Sequence, residues 1–223
     1  MATHLDLEEQ EQLDALKAFW NQYGNLITWV LIAALGAYAA FNAWQWWQRD
    51  QALKSSAMYE QLERSALLGD VDQTQRVFED MKSRYPRTVY TQQGALLAAK
   101  TQAGKGQLDA ARTTLAWVAD NASESDYKTI ARLRLAGLLL DQKKYDEALK
   151  QLDAISATKE FEALVADRRG DILLAQGKTD AAKAAYEKGW QTMADSVDYR
   201  RLIEAKLTSL GAAPAVPASG AAR

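Results

Sequence analysis

Asp167 and Asp171, four residues apart in a helical stretch, are the pair of side chains best spaced for acid–base chemistry in this sequence. That interval puts both carboxylates on one helix face, where differing surroundings could split them into an acid and a base. Their usual helpers are missing. The one histidine is His4, in the N-terminal tail, so no imidazole in a folded domain can act as general base or complete a metal triad. Cysteine is absent, which excludes disulfides and thiolate chemistry. The GKG stretch from Gly104 to Gly106 is a turn between helices, without the strand–loop–helix setting of a phosphate loop. Asp167 and Asp171 therefore read as part of a solvated or groove-lining face, and neither an enzyme nor a cofactor is expected.

The elements that must carry such a face are helical. Hydrophobic residues make up 48% of the 223 and charged residues 25%, a globular balance. There are three prolines, and two of them, Pro214 and Pro217, fall in the last ten residues, so helices can run through most of the middle. The net charge of −2 is unevenly spread. Asp6, Glu8, Glu9, Glu11 and Asp14 stand against Lys17 alone, and the rest of the chain is close to neutral. Without a basic stripe, nucleic acid is not an expected partner.

No charged residue occurs from Ala18 to Gln48. Within that stretch, Leu26 to Trp47 would extend about 33 Å as a helix, enough to cross a hydrocarbon core of about 30 Å. Phe19, Trp20 and Tyr23 precede it, and Trp44, Trp46 and Trp47 close it, as rings do at headgroup level. A soluble core helix of this length would carry a polar face, whereas Thr28 is the one such residue before Phe41. Ala37-Tyr38-Ala39 imitates a signal-peptidase site, but the opening is acidic rather than basic, so an uncleaved anchor is expected. Charge does not settle orientation. Lys17 lies on one side and Arg49, Lys54 and Arg64 on the other, and long domains translocate largely regardless of charge.

Beyond the anchor the chain repeats. At a shift of 34, Leu139 meets Leu173, Gln142 meets Gln176, Asp146 meets Asp180 and Ala148 meets Ala182. Asp109 and Asp72 continue the series upstream in steps of 37. Each unit predicts an apolar first helix, a short polar turn, and a second helix opened by the Asp, whose carboxylate can satisfy free backbone N–H groups and favour the positive dipole end. Ala111, Ala148 and Ala182 then allow close approach, and Phe78, Leu115, Leu152 and Tyr186 fill the seam. One unit cannot bury its apolar face alone, so neighbours must stack.

This pattern resembles the tetratricopeptide repeat in its period, its small residues at the eighth and twentieth positions and its large one at the twenty-fourth. It departs in lacking the fourth-position Trp, in middle units longer by three, and in Thr74 where Ala is expected. The expected fold is all-α: a single transmembrane helix, then a solenoid of about four helical hairpins and a capping helix ending near Leu210. The expected divisions are a leader at 1–24, the span at 25–47, the repeats at 48–210 and a disordered tail at 211–223. First-helix residues in such repeats line a concave surface. Repeat position assigns Tyr59, Glu63, Gln93, Leu96, Lys100, Leu133, Asp141, Asp167 and Asp171 to partner binding there. Leu96 and Leu133 have ordinary core as the competing assignment.

The layout as a whole resembles the YfgM family of bacterial inner-membrane proteins. The resemblance rests on the leader ending LDALKAFWNQYGN (Leu13 to Asn25), the anchor, and a compact repeat domain with a capping helix. It implies a cytoplasmic N-terminus and repeats in the periplasm. It also implies partnership with the Sec translocon and a PpiD-like membrane-anchored chaperone, in the service of newly exported polypeptides. A structural scaffold or adaptor of another inner-membrane complex, with the repeats on either side of the membrane, the cytoplasm included, is the alternative. The leader stripe of Leu13, Leu16, Phe19 and Trp20 could lie along the membrane or bind a cytoplasmic regulator.

Overall fold

The computed structural model of this chain describes residues 7–156, 158–194 and 196–214, with side chains from residue 11 onward. The expected disorder of the tail falls largely on 215–223, and His4 and Asp6 on the first six residues; these lie outside the described residues. Two compact units divide the chain, 1–53 and 54–223. Among the described residues every regular element is a helix: α1 (Leu7–Leu67), α2 (Val71–Arg84), α3 (Val89–Gly104), α4 (Leu108–Asn121), α5 (Ser125–Asp141), α6 (Tyr145–Asp153), α7 (Lys159–Ala175), α8 (Thr179–Thr192) and α9 (Tyr199–Ser209).

In the first unit, α1 holds the one described helix long and apolar enough to cross a membrane. A buried core helix would have its apolar side chains covered. Here Trp29, Leu35 and Tyr38 are each more than 60% exposed. An unbroken apolar surface of this extent is foreign to a soluble monomer and suits lipid. Thr28, the polar residue inside it, turns its hydroxyl back to the Gly24 carbonyl at 2.8 Å, which satisfies the donor within the helix.

The second unit is a stack of four hairpins: the last part of α1 with α2, then α3–α4, α5–α6 and α7–α8, followed by α9. Every first helix ends in the same way. Gly69, Gly106, Lys143, Gly177 and Gly211 all have positive φ, between 59° and 78°. At each, the next residue's N–H reaches back to a carbonyl five residues earlier, as in Asp70 to Ser65 and Ala212 to Leu207, both 3.0 Å. This left-handed turn satisfies carbonyls that a helix end leaves free and reverses the chain. The five turns are spaced 37, 37, 34 and 34 residues apart. The capping helix α9 thus ends on the repeat's own turn, as the first helix of a unit does.

The capping role expected of the repeated aspartates is corrected, whereas their place at the positive end of the helix dipole is as expected. The residues flanking the second helices are Asp70, Gln107, Lys144 and Lys178, and of these only Asp70 caps with its side chain, accepting from Gln73 N–H at 2.9 Å. Asp72, Asp109, Asp146 and Asp180 sit two residues further on, inside the first turn, where they favour the positive end of the helix dipole.

The seam residues behave as the pattern requires. Ala111, Ala148 and Ala182 have no exposed surface, and Phe78, Leu115, Leu152 and Tyr186 are buried beside them. Close approach is tightest in the fourth hairpin, where a Cβ on Gly170 would stand 2.4 Å from the Tyr186 ring. Ala136 tolerates a methyl at the matching place because the seam residue there is the smaller Leu152. One core runs through the first three hairpins to Ile172, and a second joins α7 and α8 to Ile203 and Leu207 of α9.

Lys143 is the one non-glycine residue among the five turns and carries the cost of a Cβ in the left-handed region. Lys143→Gly should therefore stabilise the domain by about 1 kcal/mol, and Gly177→Ala should destabilise it by about as much. Urea unfolding of the detergent-solubilised protein, followed by ellipticity, measures both.

Candidate functional site: a groove along the first helices

The last part of α1 and the helices α3, α5 and α7 enclose a groove in two connected recesses. The first is lined by Glu63, Ala66, Leu97, Lys100 and Lys105 and has a volume of about 320 Å³. The second, about 470 Å³, has an apolar floor of Leu108, Leu115 and Leu138 and a rim of Lys100, Arg134, Asp141 and Arg168. Lys100 belongs to both. Near the start of the same helices, the Tyr59 and Tyr90 rings lie 6.1 Å apart, and Gln93 Nε2 donates to the Tyr127 hydroxyl at 2.8 Å. Burial, and then the nearby Glu63 and Tyr127, raise the pKa of Tyr59.

The nine expected positions separate. Glu63, Lys100 and Asp141 are exposed on the groove, and Tyr59 and Gln93 are half-buried. Leu96 is a core residue, 7% exposed, and Leu133 packs against that core. The groove is lined instead by the residues one step later, Leu97 and Arg134, and by Arg168 at the same place in α7. A single residue turns the side chain through about 100° of the helix, enough to move it from groove to core. Arg134 reaches across to α3, where Nη1 donates to the Leu96 carbonyl at 3.1 Å, and desolvation by its surroundings lowers its pKa.

Asp167 and Asp171 are not an open acidic pair. Asp167 is 1% exposed. The Lys206 ammonium, from α9, donates to Oδ1 of both carboxylates at 2.7 Å. Tyr199 donates to Asp167 Oδ2 at 2.7 Å and Tyr186 to Asp171 Oδ1 at 2.8 Å, while Arg168 stands 3.7 Å from Asp171 Oδ2. Two anions, two cations and two phenols thus form a closed, charge-balanced network that fastens α9 to α7. Burial is the main reason the Tyr186 and Tyr199 pKa values rise, followed by their hydrogen bonds to Asp171 and Asp167, which a phenolate could not make. Each carboxylate is already held by an ammonium and a phenol, which makes the pair poorly suited to moving a substrate proton. Lys206 and Tyr199 were invisible to repeat mapping because they follow the last full unit.

The class of protein is now defined: an all-α, tetratricopeptide-like stack with an apolar N-terminal helix and a groove along its first helices. A family model described as a tetratricopeptide repeat-like domain matches residues 17–212, covering the apolar segment and all the hairpins. The chain is similar to the ancillary SecYEG translocon subunit of Neisseria gonorrhoeae, at 31% identity over 94% of this chain and 100% of that protein. The proteins of the same name from Escherichia coli and Haemophilus influenzae are 28% and 27% identical, over 81% and 83% of this chain and 86% and 90% of theirs. No solved structure matches significantly. The chain belongs to the YfgM family of tetratricopeptide-like proteins, whose curated members carry that translocon-subunit name.

Removing the cation from the α7–α9 network leaves two carboxylates facing each other with little water. Lys206→Met should cost about 3 kcal/mol, and Lys206→Met combined with Asp167→Asn clearly less than the sum of the single changes. Denaturant unfolding of the four proteins decides this. Both phenols hold their protons more tightly folded than unfolded, so their contribution is complete below about pH 10 and is lost as pH rises beyond it. Stability should fall above about pH 10, and the fall should be shallower in Tyr199→Phe.

Proposed function

We propose that this protein is a membrane-anchored, non-catalytic protein-binding module ancillary to the Sec translocon. Its leader, 1–24, is cytoplasmic, 25–47 span the inner membrane, and the repeat domain from residue 48 is periplasmic. There it assists newly exported polypeptides together with a PpiD-like membrane-anchored chaperone. The observation that carries this reading is the joint match of anchor and repeats to one family model, with a translocon subunit aligned over its whole length. The exposed apolar face of α1 supports the anchor, and the groove supports binding without asking for catalysis.

Anchoring has a direct energetic use. A domain tethered within reach of its partner meets it at an effective concentration of about a millimolar, so contacts too weak to capture a free chain suffice. An exported segment emerging beside the anchor can then be held briefly and released.

Protease treatment of spheroplasts tests the placement, with a cytoplasmic protein as control. The repeat domain should be digested while the control survives. Protection until lysis would put the repeats inside the cell and leave a cytoplasmic scaffold as the account, in line with Arg49, Lys54 and Arg64 following the span.

A further inference from the structure

The groove's charge does not balance internally. On the rim of the larger recess stand Lys100, Arg134 and Arg168 against Asp141. Arg168 is engaged with Asp171, inside the network under α9. For Lys100 and Arg134 no carboxylate lies within ion-pair distance among the described residues. Arg134 spends one of its donors on the Leu96 carbonyl. A guanidinium has five N–H donors in a planar fork, so the others remain for a ligand. Beside these cations lies an apolar floor whose exposed part is Leu108, with Leu115 and Leu138 almost fully buried next to it.

We propose that the groove is a receptor for an acidic, extended segment of a partner polypeptide, with carboxylates on Arg134 and Lys100 and an aliphatic side chain over Leu108. The proposal rests on the protein-binding reading above and names the chemistry of the partner. Charge complementarity selects the acid, because a bidentate carboxylate matches the fork of Arg134. The apolar floor selects a peptide over a polyphosphate, since a nucleic-acid backbone would lay phosphates on leucines and meet Asp141 at the rim. The chain's own acidic leader is not the occupant, because in the proposed topology it lies across the membrane from the repeats. Asp141 sets the partner's register by repelling a carboxylate placed at its end of the groove.

The test uses the full chain in dodecylmaltoside and three fluorescein-labelled twelve-residue probes alternating Leu with Glu, Gln or Lys. Anisotropy titration should show the Glu–Leu probe bound about tenfold or more tightly than the Gln–Leu probe, with the Lys–Leu probe weakest. Arg134→Gln and Lys100→Gln should each weaken the Glu–Leu probe by about tenfold, and Arg134→Lys should recover part of that loss. Asp141→Lys should tighten it, a gain that misfolding cannot imitate. Equal affinity for the Glu–Leu and Gln–Leu probes would overturn the proposal, as would indifference of the Glu–Leu probe to Asp141→Lys. So would stronger binding of polyuridylate or phosphatidylglycerol vesicles through the same two cations. Co-isolation of SecYEG with the wild-type chain from cells is read separately. Its failure alongside a binding groove would remove the translocon assignment and leave the receptor standing, and the reverse result would do the opposite.

Discussion

Each hairpin of the repeat domain carries more apolar surface than it can cover alone, and the placement of every other feature follows from how neighbours stack. Stacking in turn needs two helices to approach closely at one point per unit. The seam meets that need by pairing size against size: Tyr186 over Gly170, and Leu152 against Ala136. In the fourth hairpin the ring is admitted because its neighbour has no side chain. Burying each such residue contributes about 1.5–3 kcal/mol relative to exposure, so the seams are the main source of cohesion in a domain with no disulfide.

A stack of this kind must also end. Its last hairpin would expose the face that a following repeat would cover, and α9 covers it with Ile203 and Leu207. Covering α7 also means covering Asp167 and Asp171, whose charges would be costly in an apolar interface. The end helix solves this by bringing Lys206 and Tyr199 with it, so the cap is specified by matched polar groups as well as by fit. A buried ion network contributes little net stability over an apolar one, but it penalises any other docking of α9, which would leave the carboxylates unpaired.

Much of this was legible in the sequence. Period, hairpin count, seam residues and cap followed from spacing, because small and large apolar types recur at fixed intervals whatever the local detail. Two things were not. The repeated aspartates were read as caps, although the left-handed turn places them two residues inside the helix; an interval does not reveal where a turn ends. The groove was read one residue out of register at Leu96 and Leu133, because position in a unit fixes a side chain's direction only to within a residue, and one residue is about 100°. The pairing of Asp167 with Lys206 spans 39 residues and no repeat interval predicts it.

The pairing of Asp167 and Asp171 with Lys206, and the step from Leu133 to Arg134, change the chemistry of the groove. With Asp167 and Asp171 on its wall, the face would be acidic and would favour basic segments. With those two neutralised beneath α9, Lys100 and Arg134 are left at the rim against Asp141, which is the basis of the acidic partner proposed above. Charges at a rim chiefly set how fast and in what register a partner arrives, and apolar contacts set how long it stays. For the proposed acidic partner, few charges over a modest apolar floor would give selective encounter and short residence. In the proposed function those properties serve a domain tethered beside exported chains, since each must be released before the next is held.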